Sequence, residues 1–490
     1  MLRYELKKLN WLEKLALAGV IFYFAAFLFY GVVCVAFPYD LDNEEGFILN
    51  QIHQLRHGQT IYPDLKTPPY TVGNYPPVYQ IVNLPFALVF GTHHWYGRMI
   101  SILSTLLLGF LVGRIVYRLT DDIFAAGISG MFPFAVHYIY RWGVLNRVDM
   151  LALALALAGL YRVFRAPHKI VLPVVLFLLA LYTKQVMIAA PLAAFLYISK
   201  INPKKAGLFA VSLGLSGLMV FLTLYGLSHG EFFKHLILYN MNPFRWSSLW
   251  NYLTNMLRFY WPFFLLAAAG FFIHWKGDAK FLFGSWFILS GLVAISAGKD
   301  GSAVNYLIEL MIAGAILAGV SLSFLRKSVL WGQYILALLV VTQLGMIPHL
   351  PYTRYWYGPV PDQARYHRAR SVERILRETP GPVLSDDAAL LIRAGKPVLF
   401  QPFIMSTLDK QNLWNPAGFI QDIQAKKYSL VLCYFPLRIE NPQPDERYSP
   451  DIYNALRFNY KPVDYRDPYF IHQPREPLDQ DAGTSPNTAQ

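Results

Sequence analysis

DLDNEEGFILNQIHQLRHGQTIYPDLKTPPYTVGNYPPVY, residues 40–79, is a long polar segment that lies between strongly apolar runs. Its first six residues include four carboxylates, those of Asp40, Asp42, Glu44 and Glu45. A polar segment of this length is more often a functional loop than a simple connection. At a membrane surface, its adjacent carboxylates can perform acid–base chemistry on a substrate presented there.

The composition of the whole chain is typical of a membrane protein. Of 490 residues, 55% are hydrophobic and 15% are charged, and the apolar residues form long blocks. The net charge of +13 does not indicate a nucleic-acid partner, because the basic residues cluster at the ends of apolar runs, where they set membrane orientation. We therefore predict a polytopic α-helical membrane protein that binds no nucleic acid.

The apolar blocks predict about eleven transmembrane helices. The first, 15–37, is longer than a signal-peptide core and is expected to be retained. The others are predicted at 98–118, 122–141, 149–165, 170–183, 185–200, 206–228, 259–275, 280–297, 303–323 and 329–348. Residues 78–90 are apolar but too short to cross, so they predict a juxtamembrane helix.

Basic residues predict the side on which each loop lies. The N-terminus is predicted in the cytoplasm because it carries Arg3, Lys7, Lys8 and Lys14. The basic cluster 200–205 is also predicted inside, which favours two spans over one kinked span within 170–200. With a cytoplasmic N-terminus and eleven spans, the first loop and the chain after 349 are both expected on the outer side of a bacterial inner membrane.

The C-terminal part alternates helical and strand signals. Residues 351–473 predict a small extracytoplasmic α/β domain with strand-like runs PVLS, PVLF and YSLVLCYF. Helices are expected near 369–378 and 386–393, and after the Asn415-Pro416 and Ser449-Pro450 pairs. Residues 474–490 predict a disordered tail. The transmembrane part is thus 1–350, with an outer catalytic loop at 38–97.

Two acidic positions are candidates for catalysis. Adjacent like charges raise one pKa, so Glu44 or Glu45 can be poised as a base, although a solvated pair of loop carboxylates explains the spacing as well. Asp149, which opens the fourth span after Arg147, can cap its helix through backbone N–H groups. It can also face the first loop while Arg147 holds an anion or orients the carboxylate.

Polar residues at the ends of later spans are candidates for substrate binding. Lys184, between spans five and six, either extends its ammonium to the interface or faces a lipid phosphate. Lys299, Asn305 and Tyr306 surround the start of span ten. Glu309 lies about one helical turn into the membrane, where a carboxylate needs a partner such as Arg or Lys.

These motifs, in this order, resemble the GT-C superfamily. The acidic pair followed by glycine, Y-P-P-V-Y, R-V-D and T-K-Q are similar to motifs of bacterial membrane glycosyltransferases of the dolichyl-phosphate-mannose protein mannosyltransferase type, including the aminoarabinose transferases. The similarity covers about residues 10–320. It implies a GT-C fold with a variable outer domain at the C-terminus.

The resemblance assigns the acidic positions of the family to residues of this chain. The usual Asp-Glu pair falls on Glu44 and Glu45, so Glu44 takes the place of the catalytic base. Because glutamate is one methylene longer than aspartate, Glu45 and Asp42 stay open as alternatives. The second acidic position falls on Asp149.

The resemblance also identifies a departure at the donor-phosphate site. The family's K-P-P segment falls on Tyr75, Pro76 and Pro77, so the lysine that would meet the phosphate is missing. Lys184, Arg147 or Lys66 can take its place.

The implied activity is transfer of a hexosyl or pentosyl group from a polyprenyl-phosphate sugar, in contact with membrane lipid, to a hydroxyl of a glycan, lipid or protein acceptor. A carboxylate removes the proton of the acceptor, cations stabilise the departing phosphate, and the anomeric carbon inverts. Some relatives use a divalent cation. Mg²⁺ or Mn²⁺ is compatible with oxygen ligands from Glu44, Glu45 and Asp149.

Other classes of protein share some of these features. A transporter or flippase for a lipid-linked or anionic substrate also has many spans with charges near the bilayer midplane, but it is expected to show internal repeats and broken helices there. A membrane scaffold leaves the clustered charges without a role, whereas a lipid-linked phosphotransferase or an oligosaccharide ligase uses similar residues. The polar residues of this chain gather at predicted outer helix ends, which favours a glycosyltransferase.

Overall fold

The structure is a computed structural model that describes residues 9–273, 275, 277–328, 331–349, 360–440 and 447–476. Most of the predicted disordered tail, 477–490, and three of the four N-terminal basic residues lie outside the described residues. The helices up to residue 349 are α1 Trp11–Ala36, α2 Asn43–Arg56, α3 Val78–Phe90, α4 Trp95–Thr120, α5 Ile123–Met131, α6 His137–Trp142, α7 Asp149–Arg165, α8 Val171–Thr183, α9 Ala189–Ile201, α10 Pro203–Leu227, α11 Glu231–Leu236, α12 Trp246–Phe272, α13 Ala279–Ala294, α14 Ile308–Ser328 and α15 Gly332–Met346.

Long apolar helices make this an integral membrane protein. Within the described residues, five helical segments are long and apolar enough to cross a bilayer: Trp11–Ala36, Trp95–Thr120, Pro203–Leu227, Ala279–Gly298 and Val304–Lys327. Only 6% of the apolar window of α10 is buried within the protein, so this helix presents its side chains to lipid. The window of Val304–Lys327 is 89% buried and forms the centre of the bundle, against α4, α5, α12 and α13.

Each of the eleven predicted spans is largely helical, and the number that cross the bilayer stays a prediction. The segment 122–141 is not one helix, because α5 is followed by a 3₁₀ turn at Phe132–Ala135 and then by α6. Pro133, which has no backbone N–H, lies at this break. Two separate helices, α8 and α9, occupy 170–200 as predicted, and they are separated at Lys184.

The described C-terminal residues form a four-stranded mixed sheet with helices. The elements are α16 Gln363–Glu378, β1 Val383–Ser385, α17 Ala388–Arg393, α18 Pro402–Lys410, α19 Ala417–Gln424, β2 Leu430–Cys433, α20 Pro450–Asn459, β3 Tyr460–Arg466 and β4 Tyr469–Pro474. The strand order is β1-β2-β4-β3, with β1 and β2 parallel and the other pairs antiparallel. The helix α18 and the β3-β4 hairpin were not predicted from the sequence.

The predicted PVLF strand does not join the sheet, which corrects the sequence-based expectation. Its last residue, Phe400, forms a parallel bridge with Tyr70 of the first loop. The amide N–H of Tyr70 donates to the carbonyl of Leu399 at 2.8 Å, and the N–H of Gln401 donates to the carbonyl of Tyr70 at 2.9 Å. The first loop therefore forms the backbone hydrogen bonds that a neighbouring strand of the sheet would otherwise form with this segment. These bonds hold the C-terminal domain against the first loop at the helix ends.

Candidate active site

Helix α2 turns the two adjacent glutamates toward different surroundings. Its N-cap is Asp42, whose carboxylate accepts the backbone N–H of Glu44 at 3.3 Å. Successive helical residues point about 100° apart, so Glu44 lines a polar cavity while Glu45 is fully buried. The two carboxylates therefore have different surroundings and different chemistry.

The polar cavity brings together seven residues that the sequence had singled out: Glu44, Tyr75, Arg147, Lys184, Lys299, Asn305 and Tyr306. It lies among the ends of the bundle helices, the first loop and the C-terminal domain. Gln185, the last residue of the T-K-Q motif, also lines the cavity, and the lining residues that sequence reasoning missed are Asn74, Asn240, Asn242, Gln401 and Phe403. Asn74 directly precedes the Y-P-P motif, which could have indicated it, whereas no sequence signal marked Gln401 or Phe403.

A network of ion pairs holds two cations at the cavity. Arg147 donates to Asp42 at 2.9 Å, and its Nε lies 3.7 Å from Asp149. The ammonium of Lys184 donates to Asp149 Oδ1 at 2.6 Å and lies 4.6 Å from the centre of the Tyr306 ring. Lys184 is only 2% exposed, so its side chain does not reach to the interface.

Asp149 does not cap its own helix. Its side chain makes no capping hydrogen bond in α7 and instead accepts from Lys184 and from Asn305 Nδ2, the latter at 2.6 Å. The hypothesis that Asp149 caps its helix is therefore wrong. Its carboxylate instead orients the ammonium of Lys184 and the amide of Asn305. Asp42, although it caps α2, also contacts Arg141 at 3.3 Å and so serves the same network.

Glu309 and Lys66 do not line the cavity. Glu309 is buried and accepts the indole N–H of Trp286 at 2.7 Å, so the expected ion pair with Arg or Lys is replaced by a neutral donor. The side chain of Lys66 is 84% exposed and lies 3.4 Å from Asp64. Lys66 is thereby removed from the candidates for the missing phosphate-binding lysine.

Glu45 is held in a buried ion pair with Arg98. Nε and Nη2 of Arg98 donate to its two carboxylate oxygens at 3.0 and 2.7 Å, and the backbone N–H groups of Leu41 and Asn146 donate to the same oxygens. Burial by itself would raise the pKa of Glu45, but Arg98 outweighs it and lowers the pKa to about 2. Glu45 is therefore a permanently ionised structural anion.

The pKa of Glu44 is shifted in the opposite direction. Removal of the carboxylate from water raises it above its ordinary value, and Asp42 adds to that increase, while Arg147 opposes it. A carboxylate with a raised pKa is a stronger base than an ordinary glutamate, and Glu44 also faces the cavity.

A buried group of potential metal ligands lies behind this cavity. Asp40, Glu45 and His94 place one ligand atom each within 4.8 Å of one another. They fit a metal poorly, since Glu45 already accepts four N–H bonds. Asn146 Nδ2 lies 3.5 Å from His94 Nδ1, and His94 Nε2 lies 2.9 Å from Asp40 Oδ1, although neither Nε2 nor the Asp40 oxygens make a hydrogen bond within the described residues. Among the predicted ligands, Glu45 and Asp149 are engaged by Arg98 and Lys184.

Comparison with known proteins shows which solved structures share this architecture. Neither a protein-family model nor a curated protein matches the sequence. The structure of ArnT from Cupriavidus metallidurans bound to undecaprenyl phosphate is similar, with a TM-score of 0.63, 15% identity, and coverage of 92% of this chain and 97% of ArnT. The chain has the GT-C fold. Apo ArnT gives a TM-score of 0.62 at 13% identity over the same shares of the two chains.

The structural match covers 92% of this chain, which is more than the residues 10–320 over which the sequence motifs resemble the superfamily. The archaeal oligosaccharyltransferase AglB from Archaeoglobus fulgidus, in complex with an inhibitory peptide and a dolichol-phosphate, matches with 11% identity over 88% of this chain and 70% of AglB. Its TM-score of 0.49 is below the level that establishes a shared fold. The GT-C fold predicted from the sequence is confirmed by ArnT, an aminoarabinose transferase.

Proposed function

We propose that this protein transfers a sugar from a polyprenyl-phosphate donor to an acceptor hydroxyl at the membrane surface. The observation that carries the proposal is the polar cavity in which one carboxylate, Glu44, faces two fixed cations, Arg147 and Lys184. A base and a pair of phosphate-binding cations are the groups that this reaction requires. The GT-C fold shared with ArnT supports the same class of reaction.

Glu44 is the general base in this proposal. It lines the cavity, and its raised pKa makes it the better proton acceptor of the adjacent pair. The acceptor oxygen attacks the anomeric carbon as Glu44 removes its proton, the bond from that carbon to the phosphate oxygen breaks, and the configuration inverts. Glu45 and Asp149 are ion-paired, which makes them positioning residues rather than bases.

Arg147 and Lys184 bind the departing polyprenyl phosphate. Both line the cavity beside Tyr75, on which the lysine of the K-P-P segment falls in the resembling family. Their ion pairs with Asp42 and Asp149 fix the two cations in place before the donor binds, so little reorganisation is needed when negative charge develops on the phosphate. In this mechanism these two side chains supply the charge of the missing lysine.

The protein works at the outer face of a bacterial inner membrane in this proposal. The basic loops support a cytoplasmic N-terminus, and the first loop and the C-terminal domain then share the extracytoplasmic side. The donor sugar and the acceptor, whether glycan, lipid or protein, both reach the cavity there. In the group formed by Asp40, Glu45 and His94, the Glu45 carboxylate is already held by Arg98, so no catalytic step is assigned to a metal.

The test of this proposal is sugar transfer by purified protein in detergent with a panel of radiolabelled polyprenyl-phosphate sugars. Release or transfer of sugar with formation of polyprenyl phosphate supports the assignment. If no donor reacts, but protein in liposomes moves one of these lipids across the bilayer, the protein is a flippase.

Lys184→Met is expected to lower kcat/KM for the donor by about 100-fold, because both donor binding and the leaving phosphate lose a fixed positive charge. The measurement is initial rate against donor concentration. Lys200→Met is the matched control, since Lys200 lies in an exposed pair with Asp278. A change of less than threefold in Lys184→Met would contradict the phosphate-binding role.

The pH dependence of transfer is expected to reflect Glu44. A base is active when deprotonated, so kcat/KM falls as the pH is lowered through its pKa, which lies above the ordinary value of 4.5. The measurement is kcat/KM from pH 4 to 9 for wild type and Glu44→Gln. The acid limb should be present in the wild type and absent in the residual activity of the variant. An acid midpoint at or below 4.5 would contradict the assignment.

A further inference from the structure

The cavity wall contains a set of side-chain amides whose oxygens are available to a ligand. Within the described chain, the amide oxygens of four lining residues are buried and accept no hydrogen bond: Asn74, Gln185, Asn242 and Asn305. Buried acceptors without a donor are uncommon in folded proteins, and they suit a ligand that brings hydroxyl donors.

The orientation of three of these amides is fixed by their own N–H groups. Gln185 donates to the carbonyl of Asn74 at 3.0 Å, Asn242 donates to the carbonyl of Asp300 at 2.8 Å, and Asn305 donates to Asp149 at 2.6 Å. Because the nitrogen of each amide is engaged, its oxygen is left as the free acceptor. The wall is thus preorganised to accept hydrogen bonds.

The charges around the cavity disfavour a cationic ligand. Arg147, Lys184 and Lys299 line the wall. Among the described lining residues the carboxylates are Glu44 and Asp300, and Asp300 is already paired with Arg245 at 2.6 Å. With Glu44 acting as the base, no lining carboxylate remains to neutralise an ammonium group on a sugar, and Lys299 adds positive charge.

The C-terminal domain completes this wall on one side. Gln401 accepts the backbone N–H of Val72 at 3.0 Å, which fixes it against the first loop. The ring of Phe403 packs over Gly301, where an added Cβ would lie only 2.9 Å from it and where φ is +77°. Glycine is therefore required there for the aromatic ring to approach the cavity so closely. An aromatic face beside polar acceptors is a common arrangement in ligand sites.

We propose that the donor carries a sugar without an ammonium group, whose hydroxyl groups donate to the four amide oxygens, and that amino sugars are poor substrates. This inference rests on the proposed function, because it names the substrate class of the same cavity. It separates this protein from ArnT, an aminoarabinose transferase with the same fold. The C-terminal residues Gln401 and Phe403 then act as specificity-determining residues.

The test compares polyprenyl-phosphate donors that carry glucose, mannose or 4-amino-4-deoxyarabinose, with the full-length purified protein. The expected result is a kcat/KM at least about tenfold higher for a neutral hexose than for the amino sugar. Equal use of the amino sugar, or a preference for it, would overturn this inference and leave the proposed function intact. If no donor reacts, both the proposed function and this inference fail.

Two variants make the test specific to the wall. Lys299→Glu is expected to change the ratio of amino-sugar to neutral-sugar kcat/KM by about tenfold in favour of the amino sugar, since a carboxylate replaces a cation. The exposed Lys66→Glu provides the same charge change outside the cavity and should leave the ratio unaltered. Asn242→Ala is expected to raise KM for the neutral donor more than it lowers kcat. An unchanged ratio in Lys299→Glu would contradict the electrostatic basis of the inference.

Discussion

Glu44→Gln is expected to lower kcat for sugar transfer by about 1,000-fold, because removal of a general base costs roughly 10²–10⁴ in rate. The substitution keeps the size of the side chain and its place at the cavity, so the KM for the donor should change little. Arg147 and Lys184 keep their partners Asp42 and Asp149. The loss is therefore expected in the chemical step, which a single-turnover assay with saturating donor measures directly.

Two comparisons make the Glu44 result decisive. Glu44→Asp should recover part of the activity, since a carboxylate is restored at a shorter reach, and the exposed Glu378→Gln should behave like wild type. Glu45→Gln is expected to lower the yield of folded protein, because its ion pair with Arg98 is buried. Activity of Glu44→Gln within threefold of wild type would rule out Glu44 as the base.

Arg98→Met is expected to destabilise the protein by about 3–5 kcal/mol, the usual cost of leaving one partner of a buried ion pair without the other. Arg98 is fully buried and donates to both oxygens of Glu45 and to the backbone carbonyls of Cys34, Phe37 and Tyr39. Its loss removes the countercharge of an ionised carboxylate and one hydrogen-bond donor from each of three carbonyls. The measurement is the free energy of unfolding by SDS titration in mixed micelles.

The control for Arg98 is an exposed ion pair. Arg466 contacts Asp464 at 2.8 Å with both side chains largely exposed, so Arg466→Met should cost less than about 1 kcal/mol. The double variant Arg98→Met/Glu45→Gln is expected to be more stable than Arg98→Met alone, since the buried charge is also removed. If the double variant were as unstable as the sum of the two single variants, the ion pair would not be the source of the effect.

The contrast between Glu44 and Glu45 explains how one short motif serves two purposes. Helix α2 directs Glu45 to Arg98 at the start of α4, which ties the first loop to the bundle. The same helix then holds Glu44 at the cavity on the other side. The position of the proposed base therefore depends on the buried ion pair next to it, and a defect in that pair is expected to lower activity even when Glu44 is intact.

The amino-acid sequence by itself determined the helical segments and the residues of the first loop and helix ends that gather at the cavity. Hydrophobic blocks the length of a bilayer permit few alternatives, and charged residues at their ends are costly unless they are used. For this reason the sequence alone names Glu44, Arg147, Lys184 and Asn305 among its candidates, beside Glu45 and Glu309, and the first four line one cavity.

Only the tertiary structure decided which of these charges are free to act. Spacing along the chain cannot show that Arg98 neutralises Glu45, or that Lys184 pairs with Asp149, because these partners are distant in sequence and meet only when helices pack. The same is true of Phe400 and Gln401, which bond to the first loop instead of the C-terminal sheet. Whether a carboxylate is a base or a structural anion depends on burial and on the cation beside it, and both are properties of the packed fold.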